Sequence, residues 1–572
     1  MNKTSIGLIL IAIVVFVASC STTNSPQPVN VVKDAKVAIA VPSLPQNFNP
    51  NVSQGYGNLD QSIMNLVFPQ VFSIGGDSQP HLDTAVVSQA EVVGVDPQIV
   101  IYHLNPTAKW SDGVPVTPFD FTYNWEAHSG IGLDVNDQPF QSAPEPGWAD
   151  IASVVGSIAD DTVTVTFSKP YADWESLFSN LVPSHIAMKY GWNNGFRTFS
   201  PNIEVSAGPF EMSKMVANSE IILKENPYYA GQKPAVAEII FKVIPPQDDY
   251  SALTSNEVNL VYGMSSWQTE QQLSENKRFS TSLVSSYNAI ELVINANLPG
   301  LANLNLRKFL ISLVDAQQVT NDTVGLEIPQ QGRLGSLVAL TQFPGYSNDA
   351  PPFATYDQRQ VTALMEQASL LQTSSGVVVN SSLVPVGYNL LFDSNNPNEF
   401  QSASLIQSEF QMAGIALNLT PVSNSSDEVN ALNSNSFDLA LVNVTENPFV
   451  SYSLSSLVDS TKDFQITPGS GWPMYRSISF DPSLGTDAEA SNLALKAEGE
   501  LDTLTGQKYY QQVDALLWQD AISVPLFEES MFFAYDSTLT NVDADVSIFG
   551  PTWDAQNWIV TPVSSSSTST SQ

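Results

Sequence analysis

A single cysteine, Cys20, is all the thiol chemistry in this 572-residue chain. Without a second thiol there is no intrachain disulfide and no thiolate metal site, so the fold must be held by packing. The length allows sizeable cores and about two to four domains or subdomains. Helix and strand patterns are mixed from end to end, which points to an α/β architecture. Lys36–Val41, Gln98–Leu104 and Thr162–Phe167 read as strands, the last by strict alternation. Phe437–Val442 reads as a buried strand, and Ile522–Phe527 and Met531–Tyr535 as two more. Helical spacing covers Asn58–Phe68, Tyr356–Leu371 and Gly506–Asp520. Thr117-Pro118 has the form of an N-cap and first helical residue. Asn305–Gln318 puts Leu306, Phe309, Leu310, Leu313 and Val314 on one face, with Asn305 placed to cap it. Asn398–Met412 ends at Gly414 and passes into Ile415–Leu419, a helix-to-strand unit.

Cys20 also closes the one long apolar run, Ile6–Ser19, which Lys3 precedes. A basic start, a short apolar core and small residues before a cut are the layout of a secretory signal. Val17-Ala18-Ser19-Cys20 resembles a bacterial lipoprotein lipobox, with Val17 where Leu is commoner. The expectation is cleavage after residue 19, acylation of Cys20, a flexible tether over residues 20–30 and a polar, disordered tail over residues 563–572. The competing reading is an uncleaved anchor, but the run is short of the roughly 20 residues a spanning helix needs.

Charge and motif content exclude several functions. Asp and Glu number 57 against 21 Lys and Arg. No basic stripe exists to neutralise phosphates, so no nucleic-acid partner is expected. The four histidines, His81, His103, His128 and His185, form no HExxH and no zinc-ligand spacing, and His103 reads as packed within a strand. There is no GxSxG elbow, Walker loop or GxGxxG, so no cofactor, no metal and no enzyme activity is expected. Asp160-Asp161 and Asp248-Asp249 read as a turn and a helix start. Two carboxylates could still meet as glycosidase-type partners, but no residue is favoured for it.

The most specific stretch is Lys109-Trp-Ser-Asp-Gly-Val-Pro-Val-Thr-Pro-Phe-Asp-Phe-Thr-Tyr-Asn-Trp125, a strand end, a turn and a capped helix. It resembles the signature of extracellular solute-binding proteins of the oligopeptide/dipeptide ABC-transporter family (family 5, cluster C), with Pro118 for the usual Ala. The resemblance continues in order along nearly the whole chain. Gly208-Pro-Phe210 with Ile221–Gly231, and Lys233-Pro234 with Glu238–Ile244, match the family's hairpin and next strand. Ala252-Leu253 to Leu260, Asn305-Leu-Arg307 to Asp315, Phe437–Leu441 and Ile522–Phe527 match later blocks. These residues mainly build scaffold.

The resemblance implies an α/β, two-lobed periplasmic-binding-protein-like fold with an extra subdomain inserted in lobe one. Lobe one would be residues 31–288 plus 519–562, with residues 74–190 as the insert, and lobe two residues 289–518. The implied protein is a monomeric receptor, lipid-anchored outside the cell membrane. It would bind a small solute, an oligopeptide first, between its lobes and pass it to an ABC permease. The alternatives are a secreted lipoprotein hydrolase and a sensor or capture protein of the same fold. Family position nominates Tyr56 and Trp472 as ligand contacts. In peptide binders a Trp and an Asp follow the F-D-x-x-L strand, and the Asp meets the peptide ammonium. Here that segment is Val442–Phe449, without the Trp, and Glu446 is the nearest acid. Glu446 is nominated as the ligand contact that would meet a cationic group, on a loop at the carboxyl end of a strand; the competing reading is a solvated loop carboxylate, the more usual place for a glutamate.

Overall fold

The computed structural model describes residues 31–45, 47–52, 55, 58–143, 145–200, 205–263, 267–324, 333–423, 425–434, 436–451, 454, 486–543 and 550–562. Two long strands, Phe279–Ile294 and Ser523–Asp536, lie side by side in the middle of a ten-stranded sheet. They pair antiparallel from Phe279↔Asp536 to Val293↔Ser523, and the register slips between Ser285 and Ala289. On one side follow Leu439–Thr445, Gly387–Asp393 and Ala416–Val422. On the other follow Leu260–Gly263, Ala35–Val41, Val236–Val243, Glu220–Glu225 and Phe210–Val216.

Buried apolar side chains divide into two large cores on either side of the slip. One draws on residues 37 to 260 with Leu539, Ala555 and Trp558. The other runs from Tyr287 to Phe527. No residue belongs to both, so the molecule is two-lobed and the long strands are its main covalent link. A separate four-stranded antiparallel sheet, in the order Val87–Val95, Gln98–Leu104, Thr162–Phe167 and Ile151–Ser157, adds to the first core.

Local chemistry explains most elements. Gln98–Leu104 and Thr162–Phe167 form at the expected residues, with every second side chain buried. Tyr102, not His103, faces the core; His103 is partly exposed beside Glu91. The helix Pro118–His128 has a capping box in which the Asp120 carboxylate accepts from the Thr117 amide at 2.8 Å. Asp120 also accepts from the Ser184 amide and hydroxyl at 3.0 and 2.6 Å. The Trp-Ser-Asp-Gly turn buries Trp110 and exchanges bonds with the main sheet's approach, Ser111 amide to the Ser206 carbonyl and Ser206 amide to the Ser111 hydroxyl. The signature segment therefore joins the small sheet to the large one.

Several elements differ from expectation. The helix expected over Asn305–Gln318 is two helices, Leu304–Ser312 and Ala316–Thr323. Asn303, not Asn305, caps the first, and Asp315 accepts from the Gln318 amide to start the second. Aspartate competes for backbone donors and so favours a cap over a helix interior. Gln358–Gln367 is shorter than expected because Asp357 caps it, and Asn58–Met64 ends before Phe68. Pro397–Ala413 ends at Gly414 with φ +86°, the left-handed stop read from sequence. The two strands expected at the end of the chain are one, because Glu528 and Glu529 do not interrupt it.

Candidate functional site

Strand directions locate the site. Ala35–Val41 runs parallel to Val236–Val243 and Leu260–Gly263, and Gly387–Asp393 runs parallel to Ala416–Val422 and Leu439–Thr445. Gly263 pairs with Phe532, and Thr445 pairs with Asn288. The carboxyl ends of both parallel sets therefore point at the slip in the long strands, residues 285–289 and 528–530. Carboxyl ends of strands in open α/β sheets are where ligands bind.

Side chains there are polar, aromatic and mostly buried. On the first lobe, Tyr262 stacks on Phe533 with centroids 6.1 Å apart, and its hydroxyl lies 3.4 Å from that of Ser62. Tyr287 packs edge-on against Phe343 and donates its hydroxyl across the boundary to Ser78 at 2.8 Å. Glu528 accepts from the Thr341 amide at 2.6 Å and its hydroxyl at 2.7 Å. Glu529, on the opposite face of the strand, accepts from three carboxamides, those of Asn396, Asn398 and Asn443. These neutral donors let a Glu-Glu pair sit inside an apolar strand, where each unmatched carboxylate would be costly. Burial still pushes the Glu529 carboxyl up, and the carboxamides pull it partly back.

Of the sequence-nominated residues, Glu446 is described and the others are not. Tyr56, Trp472 and Cys20 lie outside the described residues. Glu446 follows the strand Leu439–Thr445, as expected, and the reading that places it in solvent is wrong. It is 7% exposed, and its amide donates to the Tyr287 carbonyl at 2.7 Å. Its Oε2 has no hydrogen-bond partner among the described residues. Burial first, and then the nearby Glu291 carboxylate, hold its carboxyl well above the usual range. A cation placed beside such a carboxyl favours its charged form and opposes that rise.

Sequence reasoning missed Tyr262, Tyr287, Glu528 and Glu529. A signal existed for the last two: two adjacent acids inside Ser523–Asp536, otherwise an apolar run.

Two lobes joined by paired strands, with parallel-strand ends converging on a polar boundary, are the architecture of a two-lobed solute-binding protein. The chain belongs to the bacterial extracellular solute-binding proteins, family 5, whose middle region matches residues 84–465. It is 26% identical over 543 residues to the oligopeptide-binding protein OppA of Mycobacterium tuberculosis, covering 92% of this chain and 85% of that one. A second relative from that organism, 24% identical over 382 residues, is LpqW, a probable monoacyl phosphatidylinositol tetramannoside-binding protein; the match covers 61% of this chain and 56% of LpqW. Among solved structures, the periplasmic EDTA-binding protein EppA superposes with a TM-score of 0.82 at 21% identity, over 93% of this chain and 98% of that one. Proteins of this family bind peptides or other small solutes outside the cytoplasm and work with ABC permeases, and these relatives are binding proteins rather than enzymes.

Proposed function

We propose that this protein is a lipid-anchored receptor for short peptides, and that Glu446 meets the ligand's amino terminus. The buried Oε2 of Glu446, without a hydrogen-bond partner among the described residues, supports the reading, because it sits where parallel strands of the second lobe end at the boundary. Kinship with OppA over nearly the whole chain supports the peptide class. A peptide ammonium beside Glu446 would convert a neutral carboxyl into a charge-assisted pair worth about 1.5–3 kcal/mol. Binding would therefore release a proton. Tyr56 and Trp472 are proposed as aromatic contacts in the same cleft.

Calorimetry with a tripeptide set, each in free and N-acetylated form, tests the reading. Free tripeptides should bind, with a heat that depends on the buffer's ionisation enthalpy. Acetylation, or Glu446→Gln, should weaken them at least tenfold, about 1.4 kcal/mol, and Glu446→Gln should abolish the buffer dependence. Binding that neither change weakens removes Glu446 as the anchor. If no tripeptide binds at all, the peptide class itself falls, and a sugar- or lipid-like ligand of the kind LpqW is named for becomes the reading to test.

The anchor has its own test. Cys20→Ala should release the protein from membranes or leave an uncleaved precursor, read by fractionation and intact mass. A mature terminus at any residue other than Cys20 would contradict the lipid anchor.

A further inference from the structure

Away from the paired strands, the two halves meet again through the segment that follows the strand Thr162–Phe167. The Ala172 amide donates to the Glu498 carbonyl at 2.6 Å. Glu498 ends the helix Thr486–Glu498, and the last carbonyls of a helix have no donor within it. One residue on, the Asp173 carboxylate accepts from the Ser451 hydroxyl. Ser451 is fully buried, and the Tyr510 hydroxyl lies against it with Asp173 close by. Burial raises that phenol first, and the Asp173 charge raises it further.

The partners come from opposite halves. Tyr171, Leu177 and Phe178 flank Asp173 in sequence and belong to the first core. Val450, Leu454, Ala497 and Tyr510 belong to the second. Hydrogen bonds thus cross here between two apolar cores that share no residue. Hinge motion at the 285–289 slip would separate this contact, because nothing in the sheet joins these segments.

We propose that Asp173 is a latch. Its bond to Ser451, with the Ala172–Glu498 bond beside it, holds the lobes closed and slows their opening, whichever solute lies between them. Asp173 is a positioning residue on this account: it acts on the closed population rather than on the ligand. This inference does not rest on the peptide reading.

Single-molecule energy transfer without ligand tests it. Ile158→Cys and Met412→Cys, both highly exposed and one on each half, carry the dyes in a Cys20→Ser chain. The parent should populate a high-transfer, closed state. Asp173→Ala should raise the open-to-closed ratio about tenfold, and Asp173→Asn, whose amide oxygen still accepts from Ser451, should raise it less. Ser451→Ala removes a single hydroxyl and should act in the same direction with an unchanged melting temperature. The double variant should open no further than Asp173→Ala. Ratios within twofold of the parent in both single variants, or fully additive shifts in the double variant, would overturn the latch.

Discussion

Between pH 5 and pH 9 the protein is expected to lose several kcal/mol of folding stability, with the steepest loss below pH 7, where all the carboxyls named here still hold protons that the unfolded chain has released. The cause is the number of carboxyls folded into places without cations. Glu399 is 1% exposed and pushed up to about 9, by burial first and then by Glu428. Asp514 is equally buried and pushed up to about 8, again chiefly by burial. Glu175, Glu409 and Glu428 follow at about 7, from the same leading cause. In the unfolded chain these groups titrate near 4. The folded state therefore keeps protons that the unfolded state has released. Their stabilising contribution is complete below the unfolded values and is lost as pH climbs through the folded ones. One pKa unit corresponds to about 1.4 kcal/mol, so a fraction of these shifts matters against a total stability of about 5–15 kcal/mol. Denaturant melts at pH 5, 7 and 9, at constant ionic strength, measure the slope. Glu399→Gln should flatten the part above pH 7 and raise stability at pH 9. A flat profile across the range would refute the assignment.

Arg307→Met is expected to cost about 3–5 kcal/mol. Arg307 is fully buried, the one cationic side chain so placed among the described residues. Its guanidinium donates to the Asp520 carbonyl at 3.1 and 2.9 Å, and to the Leu301 and Ala302 carbonyls at 3.1 and 2.8 Å. One planar fork thus ties the approach to the helix Leu304–Ser312 to the end of the helix Thr503–Asp520. That junction feeds directly into the long strand Ser523–Asp536. Methionine fills much of the volume but strands the carbonyls, and a lysine cannot reproduce the fork. The denaturant midpoint should fall with an unchanged slope, and Arg307→Lys should rescue little. A loss under 1 kcal/mol would show that those carbonyls find other donors. The expectation also explains why an arginine stands in the Asn305-Leu-Arg307 block: it serves the scaffold, not the ligand.

What was legible in the sequence was local. Alternation placed Gln98–Leu104 and Thr162–Phe167, Gly414 marked a helix stop, and Thr117 a start. The collinear blocks from Lys109 to Phe527 were enough to identify the family and the two-lobed fold, because turns and caps impose specific residues at fixed spacing. The site was less legible because its partners are remote. Glu528 and Glu529 can sit inside the strand Ser523–Asp536 because Thr341, Asn396, Asn398 and Asn443 supply their donors from elsewhere in the chain. Glu446 could be read as solvated because glutamate usually is; Tyr287 and Glu291, on a strand far earlier in sequence, make its surroundings dry and acidic. The break at Asp315 was visible in principle, since an aspartate inside an apolar helical pattern is a common second start.

The central claim is that this protein closes on a short peptide between its lobes. Native mass spectrometry of protein purified without added ligand tests it most directly, followed by denaturation to release and sequence whatever was held. The account predicts a one-to-one adduct of peptide mass that competes with added free tripeptides and is depleted in Glu446→Gln. An adduct of another chemical class, undisturbed by tripeptides, would contradict it, as would adduct-free protein that takes up no tripeptide when offered one.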